Sequence, residues 1–242
     1  MENYIERIHA MSKEKTPTCV NITKATGEEL QWLANHKCKH GHNFASHFNC
    51  FLTAHHVKER VGALDIETSN LSANFGIMLS WAIQEVGEDH CYYDVLTLED
   101  LDEGQQDKRI VETCIETMRM FDRVVGHFAV YFDIPFIRTR ALHHGLDFPK
   151  HGEVYLTDTW RMAKKLLKLN SNRQDTVAEI LHGKTIKTRI NPTMWAQVQF
   201  GKPKERQAGL DYILEHNFCD VLDLEANYTT LLPYYKETRS SI

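Results

Sequence analysis

"ALDIETSN" (Ala63–Asn70) places two carboxylates, Asp65 and Glu67, two residues apart in an otherwise apolar run. With the residues before it, "RVGALDIE" (60–67) has the composition of a buried strand. Alternation along a strand puts residues i and i+2 on one face. Asp65 and Glu67 therefore point one way, Leu64 and Ile66 the other. Two carboxylates this close repel, and burial raises the cost of ionising them. No Lys or Arg adjoins the pair. A divalent cation is one natural counter-charge, since hard ions take carboxylate oxygens. An edge strand with its polar face in water is the other solution.

Outward from this stretch the chain alternates element types. "GEELQWLANH" (27–36) reads as a short helix, and residues 1–26, with little periodicity, are expected to wrap or trail. After a polar turn (68–74), "FGIMLSWAIQEV" (75–86) and "HCYYDVLTL" (90–98) read as two strands joined by "GEDH". "DKRIVETCIETMRMF" (107–121) has helical spacing, and "RVVGHF" (123–128) is a short buried strand. "DIPFIRTRALHHG" (133–145) reads as a helix with Asp133 as N-cap, Pro135 in its first turn and Gly145 at its end. "VYLTDTW" (154–160) is a strand candidate, followed by "RMAKKLLKL" and a helical "RQDTVAEILHG" (173–183). Gln207 to Tyr235 is helical with one or two breaks. The order gives an α/β fold whose sheet starts antiparallel and continues parallel.

Two more carboxylates stand in telling places. In "VVGHFAVYFDIPFI" (124–137), Asp133 follows an aromatic-rich loop at a helix start, where an ordinary cap is the plain alternative. In "EHNFCDVLDL" (215–224), His216 and Asp220 are four residues apart on a helix and share a face, which in isolation is equally a solvated one. In order and spacing, "LDIET", "VGHFAVYFDIPFI" and "HNFCDV" resemble the three motifs of the DEDD superfamily of 3′–5′ exonucleases. The resemblance covers roughly residues 60–232. It is nearest to the stand-alone ribonuclease H-like group related to the exonuclease domains of family B DNA polymerases.

That resemblance implies an RNase H-like mixed sheet, antiparallel over its first three strands and parallel after, flanked by helices. It implies a metal-dependent nuclease hydrolysing single-stranded DNA or RNA from 3′ ends with two Mg²⁺ or Mn²⁺ ions. Asp65, Glu67, Asp133 and Asp220 are the implied ligands, and His216 is the group that orients or deprotonates the attacking water. His216 stands four residues before Asp220, where the superfamily's tyrosine branch has Tyr. Glu215 fills the position of the histidine branch's base, and Phe128 replaces the Asn usual after Gly-His. An RNase H-type endonuclease and a non-catalytic nucleic-acid-binding module are the rival readings. Asp158 is read as a helix cap or a further ligand. Phe128, Tyr131 and Phe132 are read as base-stacking or core residues.

A second concentration of ligand types lies in "CKHGHNFASHFNC" (38–50). Cys38, His42, His47 and Cys50 form a candidate structural zinc set, with His40 competing for a place. A histidine-rich loop without metal is the alternative. The domain division is therefore an N-terminal Cys/His-rich extension (1–58) and an RNase H-like domain (59–242).

The 242 residues are 42% hydrophobic and 25% charged, enough for one sizeable core plus this extension. The net charge of −5 argues against a purely electrostatic nucleic-acid binder. A locally basic stretch from Arg161 to Arg206 offers a polyanion surface or merely solvated faces. The six cysteines are irregularly spaced and do not form a disulfide framework, which fits a reducing, cytoplasmic setting. "MENYIERIHAMSKEK" lacks an apolar signal core, and no apolar run is long enough to predict a membrane span. Protein partners are not legible.

Overall fold

Val61–Thr68 forms strand β1, with Leu64 and Ile66 buried on one face and Ala63, Asp65 and Glu67 sharing the other. The computed structural model describes residues 25–55, 59–102, 106–238 and 240–242. It sets β1 at the centre of a five-stranded sheet. The other strands are β2 (Met78–Glu85), β3 (Cys91–Val95), β4 (Arg123–Gly126) and β5 (Tyr155–Asp158), and the order across the sheet is β3-β2-β1-β4-β5. β1, β2 and β3 pair antiparallel, with Asp65 opposite Ala82 and Glu67 opposite Ser80. β4 and β5 continue in parallel. This is the mixed α/β sheet expected from the sequence.

β4 pairs with β1 only from Val61 to Ala63. β1 then runs on past it, and the main-chain N–H of Ile66 bonds the Asp133 carboxylate instead of a neighbouring strand. A crevice therefore opens at the carboxyl ends of the parallel strands, where open α/β sheets commonly hold their sites.

The chain divides into two compact units, Met1–Glu59 and Arg60–Ile242. In the first, α1 (Gly27–Asn35) is followed by α2 (Phe48–His55). In the second, α3 (Leu98–Asp102), α4 (Lys108–Met118), α5 (Asp133–His143), α6 (Thr159–Leu166), α7 (Gln174–His182), α8 (Pro192–Phe200) and α9 (Pro203–Leu231) flank the sheet. One core gathers Leu64, Ile83, Ile110, Val111, Phe121 and Ile137; the other gathers Ala63, Val125, Met162, Val177, Leu224 and Tyr228. α9 packs along β1 and β2. No helix among the described residues is long and apolar enough to cross a membrane.

Several expectations change. Residues 1–24 of the segment expected to wrap or trail lie outside the described residues. β2 begins at Met78 rather than Phe75, whose ring is 81% exposed, and β4 ends at Gly126 rather than Phe128. α9 is a single 29-residue helix without the expected breaks. Its Gly209 is an approach point: a Cβ there would lie 2.7 Å from the Met194 carbonyl and from Val198 of α8. α8 was not expected, although Asn191 and Pro192 carry its start signal; the Asn191 side chain accepts from Thr193 N. Asp133 is the first helical residue of α5, not its N-cap, a position that Phe132 holds.

Candidate active site

β1 supplies Asp65 and Glu67 from one face, and α9 lies across that face. α9 brings His216, Asn217 and Asp220, all buried. Asn217 Nδ2 donates to Asp65 Oδ2 at 2.7 Å while its Oδ1 accepts from Ser80 Oγ at 3.2 Å, so strand and helix are fastened at the site itself. Asp133 enters from the start of α5, buried and within electrostatic reach of Asp65 and Glu67. The four carboxylates, drawn from three distant stretches of the sequence, thus share one region of negative charge.

Their ionisation is correspondingly costly. Burial pushes Asp65 well above the usual carboxylate range, and Asp220, Glu67 and Asp133 add to the shift. Glu67 rises to about 8, through burial and then the Asp220 charge. Asp133 rises to about 7 through burial, against hydrogen bonds from its own N–H and that of Ile66. Burial also raises Asp220, against the opposing pull of Lys187.

Lys187, like Asn217, was not placed at the site by the sequence. Its ammonium bonds Asp220 Oδ2 and is attracted by Asp65 and Glu67 as well. The loop carrying it is tied to α9. The Asp223 carboxylate accepts from the Thr185 hydroxyl and from Ile186 N and Lys187 N. Asp220 Oδ1, by contrast, is buried with no hydrogen-bond partner. Nothing local distinguishes Lys187 from the other lysines of the basic stretch; only the loop's path selects it.

His216 is 1% exposed, so it is not a helix-surface residue. Its Nε2 lies 3.7 Å from Glu67 Oε1 and 3.8 Å from Asp220 Oδ2, and its Nδ1 bonds the Thr188 hydroxyl. Burial lowers its pKa, against the Asp220 charge. The ligand atoms of Glu67, His216 and Asp220 all lie within 4.8 Å of one another. Glu215 is exposed on α9.

The loop between β4 and α5 is held by Asp158. That carboxylate caps α6 through Trp160 N at 2.9 Å and accepts from Phe128 N and Val130 N, each at 3.1 Å. Phe128 adopts a left-handed φ of 67°. Its ring, 42% exposed, stands 4.8 Å from that of Tyr131 and 5.4 Å from that of Trp160. Phe132 instead packs on the core. His127 Nε2 faces the Asn172 carbonyl at 2.9 Å, and burial lowers its pKa to about 4. A cavity of about 900 Å³ runs past Asp65, Phe128 and Trp160 to Arg173, Lys187 and Arg189.

In the N-terminal unit the ligand atoms that converge are those of Cys38, His40, His47 and Cys50, within 4.8 Å of one another. His42, expected in the set, stands outside it, with Nδ1 3.3 Å from His47 Nδ1. Burial opposes ionisation of Cys38. Hydrogen bonds from His47 and from the main chain of His40 and His42 outweigh it and bring the thiol down to about 5.

No protein-family model and no curated protein matches the chain. Among solved structures, the family B DNA polymerase from the hyperthermophilic archaeon Pyrobaculum calidifontis is similar, with a TM-score of 0.55 and 18% identity. The likeness is one of fold. It covers 73% of this chain and 25% of the polymerase chain, so the protein spans about a quarter of that polymerase's length.

Proposed function

We propose that the protein is a metal-dependent nuclease, a 3′–5′ exonuclease acting on single-stranded DNA or RNA. The observation that carries this reading is the convergence of the half-buried Asp65 and Glu67 with the buried Asp133 and Asp220, with Asp220 Oδ1 left without a partner. A stable fold rarely buries like charges and an unpaired carboxylate oxygen without a ligand to receive them. The donors are hard oxygens and fit magnesium or manganese. Asp65, Glu67 and Asp220 would hold one ion, and Asp133 with Asp65 the second. Such a pair supplies Lewis acidity at the phosphate and charge to offset the developing oxyanions.

The protein's own groups do the rest. His216 Nδ1 and the Thr188 hydroxyl share a hydrogen bond; with the proton on Nδ1, the Nε2 lone pair would face the carboxylates. With its pKa lowered, the ring is neutral at pH 7 and takes a proton from the attacking water at Nε2. Phe128, Tyr131 and Trp160 offer stacking faces for terminal bases, while Arg173 and Arg189 line the cavity for phosphates. The fold likeness to a DNA polymerase supports nucleic acid as the substrate class. The resemblance of the three motifs to DEDD exonucleases supports attack from the 3′ end.

The test is digestion of 3′- and 5′-labelled oligonucleotides, DNA and RNA, in Mg²⁺ or Mn²⁺. Products shortening stepwise from the 3′ end are expected. Asp65→Ala and Asp220→Ala should each lower the rate by about 10³-fold or more while the protein stays folded. Internal cuts would assign an RNase H-type endonuclease instead. Intact substrate with demonstrated binding would assign a binding module.

A further inference from the structure

We propose that Cys38, His40, His47 and Cys50 hold one tetrahedral zinc ion that builds the N-terminal unit. The inference stands apart from the nuclease reading and uses none of its residues.

The ligands come from two adjoining pieces of backbone. Cys38 N donates to the His42 carbonyl and Gly41 N to the Cys38 carbonyl, both at 2.8 Å, and Gly41 has φ +77°. This tight turn presents Cys38 and His40 together, while His42, beyond the glycine, pairs back through its carbonyl and sets its ring beside the four, Nδ1 3.3 Å from His47 Nδ1. The His47 carbonyl accepts from Phe51 N at 2.9 Å, so His47 and Cys50 stand at the start of α2, three residues apart on one face. His55 Nε2 holds the Lys37 carbonyl at 2.9 Å and so fixes the entry to the turn.

The spacing suits a tetrahedral ion. Zinc bonds of about 2.3 Å to sulfur and about 2.0–2.1 Å to nitrogen place neighbouring S and N atoms about 3.6 Å apart. Cys38 Sγ lies 3.3 Å from His47 Nδ1, and Cys50 Sγ 3.2 Å from His40 Nδ1. Two thiolates and two imidazoles select zinc over the hard ions that suit the carboxylate site. The set is closed: among the described residues no carboxylate joins it, as a catalytic zinc would want for a base.

The unit also needs a staple. Among its described residues the buried apolar ones are Leu33, Cys38, Phe44 and Phe51, one of them a ligand, with Trp32, Phe48 and Leu52 packed beside them. A core of that size does not hold the described stretch of 25–55 by burial alone.

The experiment uses the full chain, expressed without a metal-affinity tag. Elemental analysis should find one equivalent of zinc, and cobalt exchanged for it should give the intense visible bands of a tetrahedral, thiolate-bound ion. His40→Ala and Cys50→Ser should lose the metal, whereas His42→Ala should keep a full equivalent. The cobalt spectrum is read on the unaltered protein, so a variant that misfolds leaves the inference testable. Zinc-free protein with Cys38 and Cys50 joined as a disulfide would overturn it, as would an octahedral cobalt spectrum. Loss of the metal from His42→Ala would overturn this ligand set.

Discussion

Lys187 answers, within the protein, the question that Asp65 and Glu67 pose. An ammonium group set against Asp220 and near two further carboxylates supplies the positive charge those side chains lack elsewhere. The same position puts Lys187 in competition with any divalent ion. Lys187→Met should therefore tighten Mn²⁺ binding, read by calorimetry or by the free-ion electron resonance signal. In chelator the same variant should lose about 2 kcal/mol of stability, since a charge-assisted bond to a buried carboxylate goes with it. Unchanged manganese affinity would mean that the lysine does not contest the cation. Sequence reading picked out Asp65, Glu67, Asp133, His216 and Asp220 by type and spacing, and the structure gathers them. It did not find Lys187 or Asn217, because neither spacing nor composition marks a side chain that arrives from a loop or fastens a helix to a strand.

At the scale of elements, the site depends on three joints. Asn217 ties α9 to β1, and Asp158 fixes the loop ahead of Asp133. Asp107 joins the start of β2 to α5: it accepts from Met78 N at 2.9 Å, from Arg140 at 2.6 and 2.8 Å, and from His144 Nε2 at 2.7 Å. Burial alone would raise the Asp107 pKa, but these bonds outweigh it and hold the carboxyl below its usual range. Its contribution is present above the unfolded pKa of about 3.9 and fades as pH falls through the native one. Asp107→Ala leaves Arg140 and Met78 N–H buried without their acceptor and should cost about 3–5 kcal/mol. The urea midpoint at neutral pH measures it, and a loss below about 1 kcal/mol would show that water replaces the carboxylate freely.

For the molecule as a whole, the raised carboxylate pKa values set how stability responds to pH when no divalent ion is bound. Glu67 at about 8 and Asp133 at about 7 lie above unfolded values of about 4.3 and 3.9, so the native state binds more protons in between. Their stabilisation is complete below the unfolded pKa and is lost as pH rises through the native one. His127, lowered to about 4, has the opposite slope, which flattens above its unfolded value of about 6.5. From pH 6.5 to 8 these two carboxylates should lower the unfolding free energy in chelator by about 2 kcal/mol, while the Cys38 thiol, held at about 5 against an unfolded value of about 8.5, opposes them over the same range. Denaturant titrations of the protein and of Glu67→Gln and Asp133→Asn across that range isolate the carboxylate slope; variants that keep the unaltered protein's pH dependence would show that neither group carries it. The sequence by itself determined the mixed α/β order, the apolar faces and the motif acids, because alternation, helical spacing and charge are local properties of the chain. Only the tertiary structure decided that α9 runs unbroken, that Lys187 reaches Asp220, and that the His40 ring nitrogen comes to 3.2 Å from Cys50 Sγ. Each depends on how distant segments, or the two sides of a tight turn, meet in space, which no local pattern encodes.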